Sequence, residues 1–283
     1  NQKKQANIFT KLDCYVFFRA ISMMLIVMGH LNFFKYGGGG AYTLFLIAGI
    51  TFAIFTMPKI LIDNSILPLT VLILRVAILT LFSIVVNFLV TGYGELSAFL
   101  LISNWIGPNV NGGVWFIEVY IQFLVFLALI LLLSPIRKAF KLNPFIFSTL
   151  FAATMVSVSI ICDSYIDTNY LYRRLPHLMA WIFLCGIAIY YSNNVIKRIV
   201  VSSIYLVGWA IFFNAAEFYF GLATVLLIWT PSIYVPSFTT NVIREIANAS
   251  LAIYLTHFQF ASITNKIIGP NPGIAVLVAL IGG

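Results

Sequence analysis

Arg19 and His30 stand eleven residues apart inside one apolar stretch, Tyr15 to Phe34. Ionisable side chains within a hydrophobic span are costly enough that a functional role is their first reading. In an α-helix that separation is about three turns, so both side chains return to within roughly 20° of one face, about 16 Å apart along the axis. One helix face would present a guanidinium near one end and an imidazole deeper in. The imidazole, with an ordinary pKa of about 6.5, can take a hydroxyl proton or accept an acyl group itself. Spacing alone leaves a second reading open, in which Arg19 snorkels to lipid headgroups and His30 hydrogen-bonds a neighbouring helix.

Other polar residues could complete such a site. A base gains from an orienting carboxylate. Asp13 would lie about 25 Å from His30 along a helix, which leaves Glu118, buried in an apolar run, as the attractive partner. Its alternative is a structural hydrogen bond to a neighbouring helix or to the glycine-rich turn. Ser250, Tyr254 and His257 recur at four and three residues and form a polar stripe on one helix face, for an acceptor or for packing. Gly37 to Gly40 lack the Gly-Lys-Ser/Thr ending of a phosphate loop and read either as a hairpin turn or as backbone that lets a substrate approach His30. Asp163, Asp167, Arg173 and Arg174 flank an outer loop and read as solvating it rather than binding an acceptor, and His177 reads as interfacial. Trp105, Trp115, Trp181, Trp209 and Trp229 read mostly as belt or packing residues.

The elements that position these groups follow from composition. With 61% hydrophobic and 8% charged residues among 283, and a mean hydropathy of +1.02, the chain reads as an all-α, polytopic membrane protein. Ten candidate spans fall at roughly 14–34, 41–57, 68–90, 114–133, 145–162, 175–191, 199–213, 217–230, 247–265 and 273 onward. The whole of 1–283 is expected to be one transmembrane domain. Leu96 to Trp105, bracketed by Gly92, Gly94, Gly107 and Pro108, is too short to span and reads as re-entrant or interfacial. With a cytoplasmic amino terminus, Lys3, Lys4, Lys11, Lys59, Arg137, Lys138, Lys141, Lys197, Arg198 and Arg244 lie inside, against Lys35, Arg173, Arg174 and Lys266 outside. The net charge of +8 therefore reflects anchoring beside anionic lipid, and no nucleic-acid partner is expected. Cys14, Cys162 and Cys185 lack disulfide or metal-ligand spacing and read as small apolar packers; no metal is expected. No cleavable signal peptide is visible. The start at Asn1 without methionine and the half-length last span suggest a longer polypeptide, trimmed at one or both ends.

Taken in order, the motifs resemble the integral membrane acyltransferase family known as acyltransferase 3. Leu12-Asp13 leading through Arg19 to His30 resembles the family's opening. Gly39-Gly40 through Phe45 to Gly49 is similar to its second-helix run, with Ala48 where serine is common. Asn104-Trp105, Trp115 and Glu118 resemble its tryptophan and glutamate segment, with Phe116 where serine usually follows. Arg174 through Phe183 to Gly186, and Ser250 through Tyr254 to His257, complete a likeness spanning about residues 12–260. Where the family often has two arginines entering the third helix, this chain has Leu72 and Arg75.

The resemblance implies a bacterial inner-membrane enzyme, multi-pass, that transfers an acyl group, acetyl in the first instance, from a cytosolic donor to a hydroxyl acceptor such as a surface glycan. Acyl-coenzyme A would be a co-substrate, not a bound cofactor. Its phosphates would suit Arg19 and Arg75, and the ~16 Å from Arg19 to His30 is comparable to a pantetheine arm. His30 and Glu118 would be catalytic, with Ser250, Tyr254, His257 and Trp115 on the acceptor side or in packing. A carrier-protein thioester with a small-molecule or lipid acceptor is an alternative. So is a transporter or flippase for a lipid-linked solute using Arg19, Arg75, Glu118 and His30 as a polar pathway, although the halves show no matched repeats or broken helices. A structural or receptor-like subunit without chemistry is the third.

Overall fold

The computed structural model describes residues 8–34, 39–91, 94–106, 114–165 and 174–283. The remarks above on Lys3, Lys4, Lys35, Gly37, Gly38, Gly92, Gly107, Pro108, Asp167 and Arg173 fall outside the described residues.

In chain order the elements are β1 (Phe9–Asp13), α1 (Cys14–His30), α2 (Gly40–Phe55), α3 (Met57–Asp63), α4 (Leu67–Thr91), α5 (Leu96–Phe99), α6 (Ser103–Ile106), α7 (Trp115–Leu132), α8 (Ser134–Leu142), α9 (Pro144–Tyr165), α10 (Pro176–Tyr191), α11 (Val195–Phe212), α12 (Phe218–Trp229), β2 (Ser232–Pro236), α13 (Thr240–Asn248), α14 (Ser250–Ile268) and α15 (Pro272–Gly282). Prolines open several helices, at Pro135, Pro144, Pro176 and Pro272, where the missing N–H breaks no helical bond. Asn194 and Asn271 cap α11 and α15 by accepting from the backbone N–H of Lys197 and Ile274.

Each of the ten predicted apolar segments is helical over most of its length. Among the described residues five helices are long and apolar enough to cross a membrane: Gly40–Asp63, Leu67–Leu89, Trp115–Leu132, Pro144–Cys162 and Val195–Phe212. Cys14–His30, Pro176–Tyr191, Ala215–Trp229 and Pro272–Gly282 are apolar but shorter, and α14 interrupts its apolar sequence with His257, Gln259, Asn265 and Lys266. Element length and composition therefore support five crossings, fewer than the ten that hydrophobic runs predicted. Leu96 to Trp105 forms no span: it folds as the short helices α5 and α6, joined through Leu101 in the left-handed region at φ 56°. The strand pair β1–β2 was not foreseen from sequence; it is antiparallel, with Phe9 opposite Pro236 and Asp13 opposite Ser232.

The chain forms two compact units, one comprising the described residues up to Leu44 together with Asn214–Gly283, the other Phe45–Phe213. In the first, α1 packs against α12, α13, α14 and α15, and α14 lies along α15. The β1–β2 ladder is extended by Cys14 N–H donating to the Pro231 carbonyl at 3.0 Å and Ser237 N–H to that of Ile8 at 2.9 Å. Gly39 holds φ +97°, and a Cβ there would sit 2.7 Å from Phe220 Cβ; one at Gly40 would sit 2.9 Å from Ile26 Cγ1. What approaches these glycines closely is therefore the protein's own α1 and α12.

In the second unit α9 packs along α10, and α7 packs against both α4 and α10. Its core is aromatic: Phe45, Phe123 and Phe183 are fully buried, with Phe123 and Phe183 centroids 4.9 Å apart. At two glycines α2 and α10 cross closely. A Cβ on Gly49 would lie 2.0 Å from the Phe183 carbonyl oxygen, and one on Gly186 would lie 2.0 Å from that of Leu46.

Candidate functional site

His30 is the last residue of α1. The helix stops there because Leu31 leaves helical geometry and Asn32 turns left-handed at φ 55°, a conformation asparagine tolerates better than most residues. The imidazole is thus presented at a helix end, half-buried. Its Nδ1 lies 2.8 Å from Nε2 of His257, which is fully buried on α14. The two rings are nearly parallel, 19° apart, and Phe258 flanks both, at 5.1 Å from His30 and 4.1 Å from His257 between centroids. On its far side His257 places Nδ1 2.7 Å from the Tyr254 carbonyl oxygen, one helical turn earlier. Ser250 and Tyr254 share the buried face of α14.

Arg19 lies on the same unbroken helix as His30, half-buried. Ser22, close to Arg19 in sequence, joins its hydroxyl to that of Tyr219 at 2.9 Å, and the tyrosine hydroxyl donates to the Phe18 carbonyl at 3.3 Å. These contacts fix α12 against α1.

Glu118 belongs to the second unit and is fully buried in the first turn of α7. Its carboxylate accepts the Ser103 hydroxyl at 2.6 Å and the Asn104 backbone N–H at 3.0 Å. One turn later Gln122 exchanges amide hydrogen bonds with Asn104 at 2.8 and 3.1 Å, donates to the Leu101 carbonyl at 2.6 Å and accepts from the Trp105 indole at 3.0 Å. The Asn104 amide also donates to the Arg174 carbonyl at 2.8 Å. Glu118 and Gln122, four residues apart on one face of α7, therefore hold the whole 101–105 segment, and the strain of left-handed Leu101 is offset by the bond its carbonyl makes. The Arg174 guanidinium stands 5.4 Å from the ring centre of Trp115.

Arg75 is exposed on α4. Its neighbours on that face, Val71, Leu74, Ile78 and Phe82, are exposed apolar residues.

The structure thus gathers His30, Tyr254 and His257 into one hydrogen-bonded array with Arg19 on the same helix. Glu118 and Trp115 are gathered into a second group with Asn104, Trp105 and Arg174. Sequence reading missed Ser103, Gln122 and Phe258. Gln122 was detectable as a second polar residue one turn from Glu118, whereas Phe258 looks like any other aromatic in an apolar helix. The chain matches no family model, no curated protein and no solved structure.

Proposed function

We propose that the chain is a membrane-embedded acyltransferase that moves an acyl group, acetyl in the first instance, from a cytosolic thioester to a hydroxyl acceptor such as a surface glycan. The observation that supports this reading most is His30 at the end of an apolar helix, with one ring nitrogen held 2.8 Å from His257. A general base needs that kind of orientation. In the proposed reaction the acceptor hydroxyl gives its proton to His30 while its oxygen attacks the thioester carbonyl. A C–O bond forms, the C–S bond breaks, and the leaving thiolate takes the proton back from the imidazolium. The products are an ester and a free thiol. Arg19 places the anionic part of the donor, acyl-coenzyme A or a carrier-bound thioester. Glu118 is the positioning residue for the 101–105 segment. Ten crossings with a cytoplasmic amino terminus in a bacterial inner membrane complete the proposal.

The test uses purified protein and radiolabelled acetyl-coenzyme A, following thioester loss. His30→Ala is expected to lower turnover by about 10²-fold or more, and Arg19→Ala to raise the KM for the donor. Arg75→Ala separates two roles, since a raised donor KM assigns it to the thioester and an unchanged one to lipid contact. Turnover indifferent to His30→Ala would overturn the reading. Absence of turnover with both coenzyme A and carrier thioesters would give the transporter the lead.

A further inference from the structure

We infer that His257 is the positioning residue that selects the tautomer of His30 and so decides which nitrogen acts as the base, an inference that rests on the proposed role of His30. A carbonyl oxygen only accepts hydrogen bonds. The Tyr254 carbonyl, 2.7 Å from His257 Nδ1, therefore places a hydrogen on that nitrogen. In the neutral ring the other nitrogen, Nε2, is then an acceptor, and His30 Nδ1 at 2.8 Å must be the donor. With Nδ1–H committed, the lone pair of neutral His30 sits on Nε2. The array runs in one direction: His30 Nδ1–H to His257 Nε2, and His257 Nδ1–H to the Tyr254 carbonyl.

The consequence for the reaction is specific. When His30 Nε2 takes the acceptor's proton, the new imidazolium keeps its Nδ1–H on His257, whose neutral ring receives part of the charge through a stronger, charge-assisted bond. When the thiolate leaves, the proton returns from Nε2 and the array reverts to its starting state. No carboxylate is needed. Phe258, stacked on His30 at 16° between planes, limits rotation of the ring, so geometry and tautomer are fixed together. Glu118 is tied to Ser103 and Asn104.

The experiment is two-bond ¹⁵N–¹H correlation of histidine-labelled protein in detergent. The chain has three histidines, so spectra of His30→Gln and His177→Gln assign all of them, and the wild-type spectrum tests the inference without altering His257. Expected are Nδ1–H forms at both His30 and His257. In His257→Leu, His30 is expected to move to the Nε2–H form, with kcat for thioester turnover down about tenfold or more and donor KM unchanged. His257→Gln, whose amide oxygen can accept at the same place, is expected to restore Nδ1–H at His30. An Nε2–H His30 in the wild type, or a His30 spectrum indifferent to His257→Leu, would overturn the inference. The expected tautomers without turnover on any thioester would uphold the array and remove the acyltransferase reading instead.

Discussion

An imidazole has two nitrogens of similar basicity in water, and which of them meets a substrate is decided by what holds the other. His30 and His257 illustrate this at 2.8 Å. Arg19 and His30 could be singled out from sequence because charge in an apolar run is conspicuous. Their partner could not be ranked, because hydropathy says nothing of which helices meet. Glu118 shows the converse, being conspicuous in sequence and engaged in structure with the start of a four-residue helix. Removing a carboxylate that satisfies buried donors strands them, so Glu118→Ala is expected to destabilise the protein by about 2–3 kcal/mol and Ser103→Ala by less. The double variant should fall short of the sum, since both lose the same hydrogen bond. Thermal melting in detergent checks all three.

Helices in this chain are placed as much by absent side chains as by present ones. At the α2–α10 crossing the Phe183 and Leu46 carbonyls occupy the space that a methyl on Gly49 or Gly186 would need, the arrangement that lets membrane helices approach closely. Gly49→Ala and Gly186→Ala are each expected to lower stability by about 1–3 kcal/mol. Gly273→Ala, where the nearest atom would be 3.5 Å away, should stay within about 0.5 kcal/mol of wild type. Denaturation midpoints separate the two outcomes. Both core glycines were visible in sequence as parts of motifs, but their use was not, because a motif records order along the chain and not which backbone passes which. Helix positions were far more legible, since proline starts and long apolar runs are local signals. The ladder β1–β2 was illegible for the opposite reason: FTKLD and SIYVP are short, lack a hydrophobic period and lie more than two hundred residues apart. Arg137 is a further element-level device. From α8 it donates to Asn64 and to the Leu131 and Leu132 carbonyls that end α7, so Arg137→Ala is expected to cost about 1–3 kcal/mol in the same melt.

On the scale of the whole molecule, exposed apolar faces such as Val71, Leu74, Ile78 and Phe82 on α4 are what contact with lipid requires. If ten segments cross with the amino terminus inside, single cysteines replacing Lys141 or Lys197 should resist an impermeant maleimide in intact cells, whereas one replacing Lys266 should react. Equal labelling of all three would reject that topology. The first compact unit joins the described residues up to Leu44 to Asn214–Gly283, and its two histidines are 227 residues apart. At the ~5–20 residues per second of protein synthesis, His30 leaves the ribosome roughly ten to forty-five seconds before His257. For most of that interval α1 carries an arginine and a histidine without the helices it packs against, and Phe9–Asp13 waits for the strand it pairs with. A nascent chain stopped short of α14 should therefore contain every residue of the second unit and only one member of the His30–His257 pair. The His30–His257 pair closes only once α14 has been made.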